Sequence, residues 1–135
     1  MSDESGPSGP NGTRVAEVVR LSVPGSLEYV RVVRLTAAAV AARVGFDIEE
    51  IEDLRVAVDE LASVVIEAGD GAEITFMFSN RDDTFFLEGS AAVTASPSID
   101  DLSRQILSVV VDDFEIDTAD GVAQFRATKR SSLTE

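Results

Sequence analysis

Glu60 is the residue with the clearest chemical potential in this sequence. It stands in the stretch DIEEIEDLRVAVDELASVVIEAG (47–69), with Val56 and Val64 four residues to either side. On a helix these three side chains share a face. The apolar stripe of the same run centres near Val58 and Val65, and Glu60 lies well away from that centre. A face that alternates valine, glutamate and valine has the pattern of a cleft wall. The plain alternative is a surface glutamate between two valines of no consequence. A carboxylate held in a partly apolar cleft is harder to ionise and suits general-base work.

Composition removes most other chemistry. The 135 residues include no cysteine and no histidine. That excludes disulfides, the usual zinc sites, thiol nucleophiles and imidazole bases, so no metal centre is expected. Lack of cysteine also fits a reducing cytosol. Twenty-five acids against eleven basic residues give a formal charge of −14. Such a surface repels phosphate backbones and anionic membranes, so neither nucleic acid nor membrane is an expected partner. A basic protein partner is compatible with it, and simple solubility is the bland reading. No apolar run approaches a membrane span, and the N-terminus lacks the basic-then-apolar pattern of a secretion signal. The expected location is the cytoplasm.

Two further groups invite a partner reading. Arg31 and Arg34 fall on one face of a helix, exposed by pattern, and suit an acidic patch on another protein; an intrahelical pair of Glu28 with Arg31 is the alternative. Phe76, Phe78, Phe85 and Phe86 interleave on two strands. Core packing accounts for one face of that pattern, and phenylalanine on the other would mark a docking surface.

The elements that position these residues read as follows. Residues 1–13, MSDESGPSGPNGT, are Ser, Gly, Pro and acid, the composition of a disordered segment. RVAEVVRLS (14–22) reads as a strand. After Pro24-Gly25, a helix runs from Ser26 with Leu27, Val30, Val33, Ala37, Val40, Ala41 and Val44 on its buried face, and Gly45 ends it. Asp47 caps the next helix with Glu50 as its capping-box partner. Its core stripe is Ile48, Ile51, Leu54, Val58, Leu61 and Val65. AEITFMFS (72–79) and TFFLEGS (84–90) form a hairpin around the polar NRDD. Ser98 with Asp101 starts a third helix, striped by Ile99, Leu102, Ile106, Val109 and Val110. DDFEIDT and GVAQFRATK make a last hairpin, and a short frayed tail runs from Ser131 to 135. The order β-α-α-β-β-α-β-β gives one folded domain over 14–130. It is an α+β, two-layer sandwich with a mostly antiparallel sheet covered on one face by three helices.

The segment from Pro24 to Gly69, with its Gly45-Phe46 break, its acidic helix start Asp47–Asp53 and its run LRVAVDEL, closely resembles the first half of the anti-sigma factor/serine-protein kinase family. That family belongs to the GHKL ATPases, relatives of histidine kinase catalytic domains. LSRQILSVVVDDFEI and GVAQFRATKR (102–130) resemble the family's closing helix and hairpin more loosely. The resemblance implies the histidine kinase-like (Bergerat) ATPase fold. It puts Glu60 at the family's general base and Val64 at the position of an asparagine that helps bind magnesium. Valine offers no oxygen to a hard cation, and Ser63 points about 100° around the helix from it. The family's Asp-x-Gly-x-Gly stretch, which reads adenine, maps onto TFFLEGSAAV, where Glu88 is the only acid and Gly89 the only glycine. Its second glycine-rich motif, which cradles phosphates, maps onto SPSIDDLSRQ, where Asp100 and Asp101 would repel them.

The expectation is therefore a regulatory protein of anti-sigma type that binds a sigma factor or an anti-anti-sigma protein without phosphorylating it. In that reading Glu60 is vestigial and no cofactor is needed. The alternative is an active serine-protein kinase using ATP and magnesium, with Glu60 as base, Ser63 or water replacing the metal ligand, and Glu88 reading adenine. A third reading is a domain whose role is self-association. The family commonly dimerises, so a homodimer is compatible with all three.

Overall fold

The computed structural model describes residues 17–132. The segment 1–13, the first strand residues 14–16 and the last three of the tail lie outside the described residues. Strand β1 (Val18–Val23) leads through a single 3-10 turn at Leu27–Tyr29 into helix α1 (Val30–Arg43). Helix α2 (Ile48–Ala68) follows, then strands β2 (Ile74–Arg81) and β3 (Thr84–Ala92), helix α3 (Asp101–Val110), and strands β4 (Asp113–Ala119) and β5 (Val122–Arg130). The five strands form one fully antiparallel sheet in the order β1-β2-β3-β5-β4. The three helices pack in a layer with α2 in the middle, touching both α1 and α3. The expected element order and α+β two-layer class are present.

The strand alternation decides what each face of the sheet carries. Successive side chains point to opposite faces. Ile74, Phe76 and Phe78 of β2, Phe85 and Leu87 of β3, and Phe125 and Ala127 of β5 are buried under the helices. With Phe46 they form a chain of ring contacts: Phe46–Phe85, Phe85–Phe78, Phe78–Phe76 and Phe76–Phe125, with centroids 5.5–6.3 Å apart. Phe86 alone points to the open face, where the Arg81 guanidinium lies 4.9 Å from its ring centre. The phenylalanines are core residues on one face, and the other face carries no phenylalanine row.

Gly89 makes the aromatic chain possible. It pairs directly with Phe76 on one side and Phe125 on the other. A Cβ at this position would sit 2.1 Å from Phe125 Cζ. The bare backbone is what lets the ring lie across β3.

The helix ends follow the sequence signals closely. Asp47 accepts from the Glu50 backbone N–H at 2.8 Å, and Glu50 Oε1 accepts from the Asp47 N–H at 2.9 Å. Gly45 takes a φ of 97° just past α1. The turns at Asp82 and at Asp120-Gly121 also use positive φ, as two-residue hairpins require.

Five expectations are corrected. Leu27 precedes the α-helix in the 3-10 turn and Val44 follows it at the cap, so both fall out of the helical phase and are exposed. Ile48 is the first residue of α2 and also points outward. Helix α3 starts from Asp100, whose carboxylate accepts from the Ser103 N–H at 2.8 Å, and not from Ser98. It buries Leu107 and Val110 while leaving Leu102 and Val109 in solvent. Residues 131 and 132, expected to fray, are anchored. Ser131 N–H donates to the Asp83 carbonyl at 2.8 Å, and Ser132 N–H donates to Glu50 Oε2 at 2.6 Å.

Glu50 thus closes the capping box with one oxygen and holds the end of β5 with the other, at only 8% exposure. Burial pushes its pKa up. The N–H groups of Asp47 and Ser132, the Ser132 hydroxyl and the nearby Lys129 charge outweigh that, and the net shift is downward from 4.5. A lowered carboxylate pKa stabilises the fold above the unfolded-state value and loses that contribution as pH falls through the native one. Glu50→Gln should therefore cost about 1–2 kcal/mol at neutral pH, and the gap from the parent should close as pH drops below 4.5. Urea midpoints across a pH series read this; a gap constant to pH 3 would show that the carboxylate charge is irrelevant. Gly89→Ala should cost about 1–3 kcal/mol by overpacking, with part of the loss recovered in the Gly89→Ala/Phe125→Leu double variant.

Candidate functional site

The candidate site lies along the outer edge of α2 and the segment that follows β3. Leu54, Val58, Leu61 and Val65 press α2 onto the sheet. Its two flanks are then fixed by charge pairs. Toward α1, Arg34 Nη1 donates to both oxygens of Asp59, at 2.9 and 3.1 Å. Toward α3, Lys129 Nζ donates to Asp53 Oδ2 at 3.2 Å and to the Val110 carbonyl at 2.9 Å, the latter at the C-terminal end of α3 where a cation is favoured.

Glu60 sits between these flanks, half-buried, with Val56 half-buried one turn before it. Among the described residues it has no hydrogen-bond or ion-pair partner. Val64, one turn on, is only 6% exposed. It lies on the same side of α2 as Ala57 and Asp53, which is the side that faces α3. Ser63 is half-buried and points about 100° away from Val64 around the helix. Val56, Glu60 and Val64 follow one another along this side of α2, and Val64 presents hydrocarbon one turn after the carboxylate.

The segment after β3 is held by its backbone. Val93 N–H donates to the Gly121 carbonyl at 2.9 Å, and the N–H groups of Thr94 and Ala95 both donate to the Ala68 carbonyl, at 2.8 and 3.1 Å. Segment 93–95 is thereby stitched to the last turn of α2. The start of α3 comes next. A helix N-terminus offers free N–H groups to an anion. Here the Asp100 carboxylate takes that place, and Asp101 adds a second negative charge in the first turn.

Two sequence-based assignments are corrected by this geometry. Glu88 does not face the cleft. Leu87 and Gly89 point toward the helices, so Glu88 points to the open side of the sheet. There it is flanked across the strands by Met77 and Arg126, and Arg126 in turn pairs with Glu115 at 2.9 Å. These residues line a shallow depression of about 310 Å³. It is separated from Glu60 by the whole sheet. Gly89 itself is a packing glycine under Phe125 rather than a hinge at a ligand. Glu60 and Val64 come together with Ser63 on α2; Glu88 and Gly89 do not join them.

The arginines also divide. Arg34 is committed to Asp59 and is only partly accessible, so it is not a free contact for another protein. Arg31 remains exposed, and the described residues contain no Glu28–Arg31 ion pair. Lys129 and Asp53 fix α2 against α3, and nothing in the sequence joins them. They are 76 positions apart, and no local pattern links them.

The sequence pattern of the family described as histidine kinase-like ATPase domain matches residues 23–113. Curated relatives include the serine-protein kinase RsbW of Bacillus cereus strain B4264, 36% identical over 70 residues, covering 50% of this chain and 44% of that protein. The serine-protein kinase RsbW of Bacillus mycoides strain KBAB4 is 34% identical over the same length and covers the same shares. The match thus spans less than half the length of these curated relatives. Among solved structures, the RsbU and RsbW domains of a Mycobacterium tuberculosis protein superpose with a TM-score of 0.66 at 16% identity. That match covers 85% of this chain and 32% of the other, and it speaks for the fold alone.

The Arg34–Asp59 bridge is bidentate but partly solvated, so its worth should be modest. Arg34→Ala and Asp59→Ala should each cost about 1 kcal/mol, with the double variant little worse than either single one, a coupling of about 0.5–1 kcal/mol. Strict additivity of urea midpoints would show that the pair contributes nothing.

Proposed function

The chain belongs to the histidine kinase-like ATPase domain family, and from that premise we propose that it is an anti-sigma-like regulatory protein acting by binding alone. Its partner is a sigma factor or an anti-anti-sigma-type protein, and its nucleotide site is lost. The observation that carries the reading is Val64. One turn beyond Glu60, on the side of α2 that faces α3, Val64 is buried, and the family resemblance puts a magnesium-binding oxygen at this position, which valine cannot supply. Two further features support it. Asp100 satisfies the N-terminus of α3 with the protein's own carboxylate, in the place a phosphate would occupy. The only acid on β3, Glu88, lies across the sheet from the cleft. Val64, Asp100 and the outward-facing Glu88 all count against a bound ATP–magnesium pair in this reading.

The second reading is an active serine-protein kinase. Glu60 favours it, because its carboxylate is partly open and unengaged where a base would act. The printed names of the curated relatives favour it too.

Calorimetric titration with ATP and magnesium separates the two. The binding reading expects no saturable heat and no thermal stabilisation at millimolar nucleotide. Saturable binding in the micromolar range, about −8 kcal/mol, together with phosphate transfer to a partner serine that disappears in Glu60→Ala, would establish the kinase.

A further inference from the structure

Helix α3 carries an apolar stripe that the fold does not use. Leu102, Ile106 and Val109 are spaced i, i+4, i+7 and lie on one face. Leu102 is 65% and Val109 79% exposed, and Ile106 is half-buried between them. The helix packs inward through Leu107 and Val110 instead, and Lys129 holds its C-terminal carbonyl at Val110. The stripe is therefore rigidly presented, about 10 Å long from Leu102 to Val109. Single exposed aliphatic residues are ordinary, whereas three at helical spacing on one unpaired face form a contact surface.

The charges around it select the occupant. Asp100 and Asp101 lie exposed at one end, and Asp112 and Asp113 at the other. Arg104 is the only basic residue between 98 and 113; at the C-terminal end of α3, Lys129 is engaged with Asp53 and the Val110 carbonyl, and Asp112 accepts from the Arg130 N–H. The chain as a whole is at −14. Other occupants fit less well. Residues 1–16 and 133–135 contain only Met1, Val15, Ala16 and Leu133 as aliphatic side chains, too few to line a helix face. Two copies meeting stripe to stripe would bring the same four aspartates together, and like charges oppose that contact.

We propose that the outward face of α3, through Leu102, Ile106 and Val109, docks an amphipathic helix of a partner protein whose flanks are basic. The proposal rests on the binding reading and names the surface and the partner chemistry for it. Leucine-like side chains fill the stripe, and lysine or arginine at either end meets the aspartates.

The test uses the full chain and a synthetic amphipathic peptide of about 14 residues, with leucine on one face and lysine on its flanks. Two controls accompany it: the same leucine face with glutamate flanks, and a scrambled leucine/lysine peptide of equal charge. Fluorescence anisotropy at physiological salt should show saturable binding of the first peptide alone. Affinity should fall about tenfold in Leu102→Ser/Val109→Ser, whose thermal midpoint should match the parent because both residues are exposed. No binding of the first peptide overturns the proposal. Equal binding of the scrambled peptide, or unchanged binding by the double variant, also overturns it, since the acidic field alone would then be responsible. A dimer by light scattering that the double variant abolishes assigns the stripe to a second copy and overturns the stated partner. ATP binding in calorimetry would sink the nucleotide-free reading without touching the peptide result. Peptide failure would likewise leave the calorimetry intact.

Discussion

The seating of α2 on a chain of phenylalanine rings is the constraint from which the rest of the molecule takes its position. Phe46, Phe85, Phe78, Phe76 and Phe125 run ring to ring beneath the helices. Phe125 can lie across β3 only because Gly89 has no side chain there. Leu54, Val58, Leu61 and Val65 complete the same core from above. Once these are buried, helical geometry sends Asp59 toward α1, Asp53 and Val64 toward α3, and Glu60 to the edge between them. The chemical face of α2 is thus a consequence of its hydrophobic face.

Both ends of α2 are locked by groups distant in sequence. At the start, Glu50 accepts from its own capping partner and from Ser132, which ties the exit of β5 to the first turn. At the finish, the Ala68 carbonyl receives two N–H groups from segment 93–95. Helix termini leave such groups without intrahelical partners, and a buried one must find a partner elsewhere. Here the partners are the residues after β5 and the segment after β3. None of these bonds involves Glu60 or Ser63, so exchange of either side chain leaves that frame in place.

Much of this was legible in the sequence because it depends on short-range rules. The Asp47–Glu50 box, the Gly45 stop, the hairpin turns and the element order all follow from residues within a few positions of one another. The misses in helix packing share one cause. Periodicity reports that a helix has an apolar stripe but not where its neighbour lies. Periodicity alone puts Leu102 and Val109 with Val110 on one core stripe, whereas α3 packs through Val110 and Leu107. Lys129–Asp53 and Arg34–Asp59 join residues far apart in the chain, and no local signal announces them. Glu88 is a different kind of miss. With Phe85 and Leu87 inward, strand alternation alone turns Glu88 outward. The family correspondence placed it in the cleft against that rule, and the rule prevailed.

The start of α3 shows how the end of a helix can be satisfied from within the chain. A helix N-terminus has a fixed set of free N–H donors and a partial positive charge. It can present them to an external anion or satisfy them with its own side chain. With Asp100 accepting from Ser103, the second option is taken, and the helix is capped whether or not anything binds. A capped helix no longer depends on a ligand for order, so its outer face can be presented permanently. That links the two proposals physically. Asp100 caps the end of α3 beneath Leu102 and Val109, and its charge adds to the acidic frame that a basic partner would meet.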